Sequence, residues 1–379
     1  MKATKIYIIA GEASGDLHGS NLIKALLDMA PETIIRFWGG DLMASASGNK
    51  PVRHYEQLAY MGIWEVLKHL PAIRKNIQFC KSDIRDFHPD TLLLIDYPGF
   101  NLRIAEWAHN CGILVQYYIS PKIWAWNTSR VHKIQRIIDR MYVILPFEEA
   151  FYQKYGYKVQ YVGNPLLDEM KSFEPDPNFN KKHNPNGNKI IALLPGSRKQ
   201  EIRFSLPIML EACSSMNGFQ YCIAVAPSIP IEFYRSIIDQ IAEPDRLSLV
   251  IDDTYNLLNN AKMALVTSGT ATLEAALLNV PQVVCYKTNR FTYWLGKRLI
   301  KVPFISLVNL ILGKDAVREL IQSDFNVTRL KKVMTELMED DAALKVRQDY
   351  AQLKQILGKH NPSQLVAQNM LDLIGIRMS

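Results

Sequence analysis

The chain has 379 residues, 48% of them hydrophobic, which is enough for two or three domains with substantial cores. Its 44 basic and 37 acidic residues give a net charge of +7, which suits an anionic ligand or membrane face and is too small an excess to predict nucleic-acid binding. The five cysteines are scattered and form no CxxC pair, which favours a reduced, cytosolic setting. The first apolar run, Ile6 to Ala10, is too short for a signal-peptide core, and no uncharged apolar run approaches the length of a membrane-spanning helix.

The first predicted strand, Lys5 to Ala10, is followed by the turn Gly11 to Asp16 and by apolar residues at helical spacing. Strand, glycine turn and helix open a doubly wound fold, in which ligands lie beyond the carboxyl ends of the strands. The glycines of this turn do not follow the GxGxxG dinucleotide pattern, and the carboxylates of Glu12 and Asp16 would repel a pyrophosphate. The turn is therefore predicted to face neutral hydroxyls, such as those of a sugar.

The first half of the chain continues as an alternation of strands and helices. Further strands are predicted at residues 33–38, 91–95, 113–119 and 141–145. The strand at 91–95 is a continuous apolar run of the kind found in parallel sheets, and it places Asp96 at its carboxyl end. A carboxylate there suits general-base chemistry, and the alternative is an aspartate that merely begins a turn before a proline. Trp124 and Trp126 follow the next strand and predict either core packing or a wall that faces a sugar or lipid.

The polar, proline-rich stretch between Lys171 and Lys189 predicts an interdomain linker, and strand and helix alternation resumes after it. The later strands are predicted at residues 189–194, 221–225, 247–251, 264–266 and 282–286. The chain therefore divides into a first domain at 1–168, a linker at 169–188, a second domain at 189–350 and a C-terminal helix at 351–379 that returns towards the first domain. The predicted fold class is α/β, with two doubly wound domains facing a cleft.

The turn Thr267 to Thr270 joins a short strand to an alanine- and leucine-rich helix. Backbone N–H groups at such a helix start, together with the positive end of the helix dipole, can hold a phosphate. Glu274 lies one turn into the helix, where its carboxylate could accept the two hydroxyls of a ribose. Arg198, in the glycine turn after the strand at 189–194, is a candidate partner for a diphosphate. Helix capping and an exposed loop arginine are the structural alternatives.

This combination of residues suits direct transfer of a sugar from a nucleotide. A diphosphate leaves as an anion and needs positive charge, which Arg198 and the helix start near Thr270 would supply. The attacking hydroxyl needs one general base, for which Asp96 is the candidate. A glycosidase would instead need two carboxylates that flank one bond. A GxSxG nucleophile elbow is missing. The eight histidines form no HExxH or HxxxH pattern, and neither a metal nor a cofactor is predicted.

The stretch that begins at Arg290 is aromatic and basic, and it leads into the apolar residues 302–312. One interpretation is an amphipathic helix followed by an apolar strand, and the other is an interfacial anchor or acyl-chain groove. Trp64, Trp294 and the lysines near them predict contact with an anionic membrane surface. The tail, Val327 to Gly375, is predicted to be helical with a break at Asn361-Pro362.

Several motifs that occur in order along the chain together resemble the lipid-A-disaccharide synthase family. They are AGEASGD (10–16), LAYMGIWEVL (58–67), IDYPGFN (95–101), SPKIWAW (120–126), LLPGSR (193–198), SGTATLEA (268–275) and FTYWLGKRLIKVPFISLVN (291–309). The resemblance implies a GT-B glycosyltransferase with two Rossmann-like domains. It implies a metal-independent, inverting transfer of 2,3-diacylglucosamine from UDP-2,3-diacylglucosamine to the 6-hydroxyl of 2,3-diacylglucosamine 1-phosphate, which yields the β-1,6 lipid A disaccharide 1-phosphate and UDP. The implied location is cytoplasmic and peripheral on the inner membrane.

The resemblance also assigns roles to individual residues. Asp96 matches the catalytic aspartate of the family. The residues that match its substrate-binding positions are Glu12, Ser14 and Asp16 in the first loop, Arg198 in the glycine turn, Ser268, Gly269, Thr270 and Glu274 in the UDP-binding turn and helix, and Asn309 in the SLxN motif. The chain departs from the family at Gly99, where a second acid is common, at Asn164, where many members have histidine, and at Lys314-Asp315, where many have arginine and glutamate.

Two other functions fit parts of the same pattern. Another GT-B enzyme, such as a UDP-N-acetylglucosamine 2-epimerase or a peptidoglycan-type transferase, would share the turn at 267–270 but has no use for the aromatic and basic stretch at 291–301. A nucleotide-binding module without catalysis would tolerate replacement of Asp96. The sequence leaves the oligomeric state and the binding mode of the acyl chains open.

Overall fold

A computed structural model describes residues 3–58, 70–239, 246–299, 302–358 and 361–378. The chain forms two compact units: the first contains Met1–Lys171 and Leu357–Ser379, and the second contains Ser172–Ile356. Each unit has one parallel sheet with helices packed on it. The alternation of apolar strands and amphipathic helices in the sequence dictates this layering, because the central strands of each sheet bury both faces.

The first unit has a seven-stranded sheet in the order β3-β2-β1-β4-β5-β6-β7. Its strands are β1 (Lys5–Ala10), β2 (Ile34–Gly39), β3 (Arg53–His54), β4 (Thr91–Ile95), β5 (Leu114–Tyr118), β6 (Arg140–Val143) and β7 (Gln160–Tyr161). Its helices are α1 (Ala13–Met29), α2 (Asp41–Ser47), α3 (Leu70–Phe87), α4 (Pro98–Asn110), α5 (Ile123–Trp126), α6 (Val131–Ile137), α7 (Phe147–Gln153) and α8 (Leu166–Ser172), with 3-10 turns at Tyr55–Leu58 and Thr128–Arg130.

Alternate residues of β1 pack into different cores on the two faces of this sheet. Ile6 and Ile8 join one core, which contains Leu22 of α1, whereas Tyr7 and Ile9 join the other, which contains Ile104 of α4. The period of two follows from the pleat of a strand. β4 and β5 are buried along their whole length. Because β1, β4 and β5 are parallel, the polar residues that follow them lie at the same edge of the sheet.

The last helix, α18 (Pro362–Met378), belongs to the core of the first unit. Val366 and Met370 are fully buried in the same core as Leu22 of α1. Its start is held by Asp168, whose carboxylate accepts hydrogen bonds from the Ser363 backbone N–H at 3.1 Å and from the Ser363 hydroxyl at 2.7 Å. Burial of this apolar face and the cap together hold the end of the chain on the first unit.

The second unit has a six-stranded parallel sheet in the order β10-β9-β8-β11-β12-β13. Its strands are β8 (Lys189–Leu194), β9 (Phe219–Val225), β10 (Leu247–Ile251), β11 (Ala261–Thr267), β12 (Gln282–Tyr286) and β13 (Arg318–Ile321). Its helices are α9 (Phe179–His183), α10 (Lys199–Ser214), α11 (Ile231–Ile238), α12 (Thr254–Asn260), α13 (Ala271–Leu277), α14 (Arg290–Leu299), α15 (Leu307–Leu312), α16 (Val327–Met338) and α17 (Asp340–Leu357).

The predicted strands are confirmed in both units, to within a residue or two at most ends. An apolar strand within residues 302–312 was the wrong interpretation, because Leu307–Leu312 is the helix α15, capped by the Ser306 side chain. Residues 172–188 are part of the second unit and contain α9, whose Phe179 is buried in the core of that unit. The segment at 59–69, with Trp64, lies outside the described residues.

The packing of α18 predicts a stability effect that is independent of the active site. We expect Met370→Ala to lower the free energy of unfolding by about 2–5 kcal/mol, because it removes a fully buried side chain and leaves a cavity. Gln368→Ala, at an exposed position of the same helix, is the control and should change it by less than about 0.5 kcal/mol. Equal midpoints for the two variants in urea unfolding would contradict the docking of this helix.

Candidate active site

Two acidic residues lie at the carboxyl ends of neighbouring strands in the first unit. Glu12 follows β1 and Asp96 follows β4, and these strands pair in register with Ala10 opposite Ile95. Burial raises the pKa of Asp96 to about 6, and the negative charge of Glu12 adds to the effect. The charge of Lys122, in the loop after β5, and a hydrogen bond from the backbone of Tyr97 act in the opposite direction. Asp96 therefore has the basicity of a proton acceptor that works near neutral pH.

The backbone at Asp96 is strained and is held by hydrogen bonds. Asp96 and Tyr97 have φ angles of 44° and 47°, in the left-handed region that non-glycine residues rarely adopt. The Asp96 carbonyl accepts a hydrogen bond at 2.8 Å from the Asn101 amide and one at 2.5 Å from the Tyr117 hydroxyl. The Asn101 amide also donates to the Ile95 carbonyl at 3.2 Å. These bonds fix the direction in which the Asp96 carboxylate leaves the sheet.

Gly11 is required by the same geometry. A Cβ atom at position 11 would lie 2.3 Å from the ring of Tyr97, which therefore packs directly on the glycine backbone. The Tyr97 hydroxyl donates to the Leu58 carbonyl at 3.2 Å, so the ring cannot easily move aside. The close approach of the turn after β1 to the turn after β4 depends on the absence of a side chain at Gly11.

The structure separates the three residues predicted in the first loop. Glu12 and Ser14 are exposed, whereas Asp16 is buried. The Asp16 carboxylate accepts hydrogen bonds from the backbone N–H groups of Gly40 at 2.7 Å, of Leu42 at 3.1 Å and of Met43 at 3.1 Å. Asp16 thus caps the start of α2, and its contribution to a sugar site would pass through the position of that helix.

The two tryptophans after β5 have different environments. Trp124 is buried, and its indole N–H donates to the Glu148 carboxylate at 3.1 Å. Glu148 is also buried and accepts from the Ser120 hydroxyl at 2.5 Å and from the Leu145 N–H at 2.9 Å, while burial raises its pKa. Trp126 is 44% exposed, with the Arg130 guanidinium 5.0 Å from its ring. Trp124 therefore belongs to the core, and only Trp126 can face a ligand.

In the second unit, the turn Ser268–Thr270 follows β11 and leads into α13. The Ser268 hydroxyl donates to the Ile305 carbonyl at 2.7 Å, and the Thr272 hydroxyl donates back to the Gly269 carbonyl at 2.8 Å. The turn lies at a helix start, where backbone N–H groups have no partner within the helix. Glu274 is half-buried one turn into α13. The predicted turn and carboxylate are therefore brought together on one helix start.

Arg198 ends the loop after β8, the strand that pairs directly with β11. The loop turns at Gly196, whose φ of 116° favours glycine. Glu201 supports it, since its carboxylate accepts from the Ser197 N–H at 3.2 Å and from the Arg198 guanidinium at 3.2 Å. The Arg198 side chain is 69% exposed, so most of its charge faces outwards. Glu201 was not predicted from the sequence. Its position three residues after Arg198, in the first turn of α10, is a spacing that favours an ion pair.

Asn309 lies beneath a loop of the second unit. Its side chain is fully buried, and its amide nitrogen donates to the Val317 carbonyl at 2.8 Å and to the Glu319 carboxylate at 3.0 Å. Its amide oxygen accepts from the N–H groups of Ala316 and Val317, both at 2.9 Å. The structure therefore places the predicted substrate-binding Asn309 in a supporting position, with its hydrogen-bonding groups engaged by the protein.

The predicted residues thus fall into two groups, one in each unit. Glu12 and Asp96 share the edge of the first sheet, while Arg198, Ser268–Thr270 and Glu274 share the edge of the second. In the part of the chain that the structure describes, no three His, Cys, Asp or Glu side chains are arranged to hold a metal ion. Sequence reasoning did not find Asn101, Tyr117 or Glu319, because their hydrogen-bond partners become neighbours only in the fold.

The fold is similar to solved structures of an epimerase and a glycosyltransferase. A UDP-N-acetylglucosamine 2-epimerase from Neisseria meningitidis, bound to UDP-N-acetylglucosamine, matches with a TM-score of 0.70 at 14% identity, over 97% of this chain and all of the other. The glycosyltransferase of kitacinnamycin matches with a TM-score of 0.67 at 13% identity, over 98% of this chain and 99% of the other. These likenesses show the GT-B fold, and at such identity they do not distinguish a transferase from an epimerase.

The sequence comparisons make that distinction. The profile of the lipid-A-disaccharide synthetase family matches residues 6–374. The lipid-A-disaccharide synthase of Nitrosococcus oceani is 39% identical over 370 residues, covering 94% of this chain and 93% of the relative. That of Geobacter sulfurreducens is 36% identical over 386 residues, covering 98% and 97%. The chain therefore belongs to the lipid-A-disaccharide synthase family of GT-B glycosyltransferases.

Proposed function

We propose that this enzyme transfers 2,3-diacylglucosamine from UDP-2,3-diacylglucosamine to the 6-hydroxyl of 2,3-diacylglucosamine 1-phosphate, with inversion and without a metal ion. The first unit binds the acceptor beside Asp96, and the second unit binds the UDP of the donor. The observation that carries the proposal is the half-buried Asp96 carboxylate on its strained strand end, with a pKa raised to about 6.

Asp96 acts as the general base. A carboxylate with a pKa near 6 is ionised at neutral pH and is a stronger proton acceptor than an ordinary aspartate. Deprotonation of the 6-hydroxyl lets its oxygen attack the anomeric carbon on the face opposite the leaving UDP, so that one displacement inverts the configuration. Glu12, exposed beside Asp96, is placed to accept hydrogen bonds from acceptor hydroxyls.

The second unit stabilises the leaving group. Backbone N–H groups of the Ser268–Thr270 turn and the exposed guanidinium of Arg198 supply positive charge to the diphosphate, so its departure needs no general acid. The Glu274 carboxylate accepts the ribose hydroxyls. The exposed ion pair between Arg198 and Glu201 is worth at most about 1 kcal/mol, so the guanidinium can exchange it for a contact with the diphosphate.

The enzyme binds the surface of an anionic membrane through α14. Trp294 is 49% exposed on this helix, the Arg298 guanidinium lies 3.9 Å from its ring, and Lys297 is exposed beside them. An exposed tryptophan flanked by basic residues suits the interface between headgroups and acyl chains. Among the helices of the described residues, none has the length and apolarity of a membrane span.

The role of Asp96 is tested by Asp96→Asn, which keeps the shape of the side chain and removes the base. We expect kcat to fall by about 10²–10⁴, the usual contribution of a general base, while the affinity for UDP stays within twofold. Arg198→Ala is the complementary variant and should weaken UDP binding. UDP release and calorimetric titration measure the two quantities, and near wild-type turnover of Asp96→Asn would refute the assignment.

The pH dependence follows from the same carboxylate. Since the base must be ionised, kcat/KM should fall as the pH is lowered through about 6. Glu12→Gln removes a negative charge and should move this fall to lower pH, whereas Lys122→Met removes a positive charge and should move it to higher pH. Profiles of kcat/KM for the three proteins check the prediction, and shifts in the same direction for both variants would contradict it.

Membrane binding is tested by Trp294→Ala combined with Lys297→Gln. We expect the fraction that sediments with anionic vesicles to fall at least threefold, because an interfacial tryptophan and a charge attracted to the headgroups are both lost. Trp126→Ala, which removes another exposed tryptophan beside an arginine, is the matched control and should bind as the wild type does. Unchanged sedimentation of the double variant would argue against α14 as the contact.

A further inference from the structure

The carboxylate of Glu319, on β13, is the centre of a hydrogen-bond cluster in the second unit. It accepts from the Ile305 N–H at 3.0 Å, from the Ser306 N–H at 2.9 Å and from the Asn309 amide at 3.0 Å. We call Glu319, Asn309 and Ser306 the loop anchor. Two of these three donors are backbone N–H groups, so the Glu319 carboxylate fixes the backbone at Ile305 and Ser306.

The other two members of the loop anchor close the cluster. Ser306 and Asn309 are both fully buried, and the Ser306 hydroxyl accepts from the Asn309 N–H at 3.2 Å. The Asn309 amide also holds the backbone at Val317, just before β13. The segment 305–317 is therefore held at both ends by hydrogen bonds near the strand that carries Glu319. Removal of one acceptor from this cluster leaves a buried donor without a partner.

One hydrogen bond connects the loop anchor to the turn Ser268–Thr270, where we propose that the donor binds. Ile305 presents its N–H to Glu319 and its carbonyl to the Ser268 hydroxyl, at 2.7 Å. A hydroxyl has a single proton, so while this bond holds, the Ser268 oxygen can accept from a ligand but cannot donate to it. A diphosphate accepts only. The turn must then meet it through backbone N–H groups, whose direction depends on where Ser268 is held.

We propose that Glu319 is a positioning residue of the donor site, acting through Ile305 and Ser268 on the turn that binds the diphosphate. This inference rests on the proposed binding of UDP by the second unit. Glu319 itself does not touch the substrate. Its carboxylate determines the position of the Ile305 carbonyl, which accepts the hydrogen bond from the Ser268 hydroxyl. This bond in turn determines the backbone conformation of the turn Ser268–Thr270.

The test compares Glu319→Gln with Glu211→Gln, the same change at an exposed position of α10. Glutamine keeps the volume but offers one acceptor oxygen to three donors, so at least one bond of the loop anchor is lost. We expect the Kd for UDP to rise at least fivefold in Glu319→Gln and to stay within twofold in Glu211→Gln. The KM for the acylated 1-phosphate acceptor should stay within twofold in both, because the acceptor is bound by the first unit.

A double-mutant cycle separates positioning from a general loss of stability. If Glu319 acts through Ser268, the effects of Glu319→Gln and Ser268→Ala on the Kd for UDP should be less than multiplicative. The Kd of the double variant should then be close to that of the single variant that binds UDP more weakly. Independent, multiplicative effects overturn the route through Ser268. A Kd within twofold of wild type in folded Glu319→Gln overturns the proposal.

Two measurements keep the test decisive. Ser306→Ala removes the acceptor of the Asn309 N–H at a fully buried position, and if Glu319→Gln does not fold, the UDP affinity of Ser306→Ala decides by the same limits. Wild-type protein is titrated first with UDP. No binding there would overturn the donor site and this inference together, whereas binding by wild type and equal binding by the variant overturn this inference alone.

Discussion

The hydrogen bonds to the Asp96 carbonyl are the constraint on which the proposed catalytic site depends. Two consecutive left-handed residues cost about 1–3 kcal/mol each, and the bonds from Asn101 and Tyr117 return about 1 kcal/mol apiece. The balance comes from the sheet itself, because β4 and β5 are buried along their whole length and cannot relax independently. Strain is thus maintained at the residue that we propose as the general base.

The acidic residues near strand ends and helix starts in this chain serve two purposes that the structure separates. Asp16, Glu148, Glu201 and Glu319 each accept at least two hydrogen bonds that fix a loop or a helix start. These carboxylates replace the ladder partners that the backbone loses where a strand ends. Asp96 differs, since burial has the largest effect on its pKa and raises it to about 6.

The sequence predicts the sheets and the edges that carry the sites, and it predicts the supporting contacts poorly. The strands Lys5–Ala10, Thr91–Ile95 and Lys189–Leu194 have the predicted bounds because continuous apolar runs between turn residues have few other solutions. Asp16 was predicted to face sugar hydroxyls, and it caps a helix 24 residues further along the chain. Oxygen acceptors suit both purposes equally well, so residue type and spacing could not decide between them. Asn309 shows the same ambiguity for an amide.

Gly99 bears on the proposal that Asp96 acts as a single base. No carboxylate stands at Gly99, although a Cβ atom there would have open space around it. Glu12 supplies the neighbouring negative charge from a different strand, and Gly11 allows the close contact between the two turns. The charge of Glu12 raises the pKa of Asp96 without requiring Glu12 to exchange a proton. In the proposed mechanism, the electrostatic neighbour and the proton acceptor are then separate residues that follow separate strands.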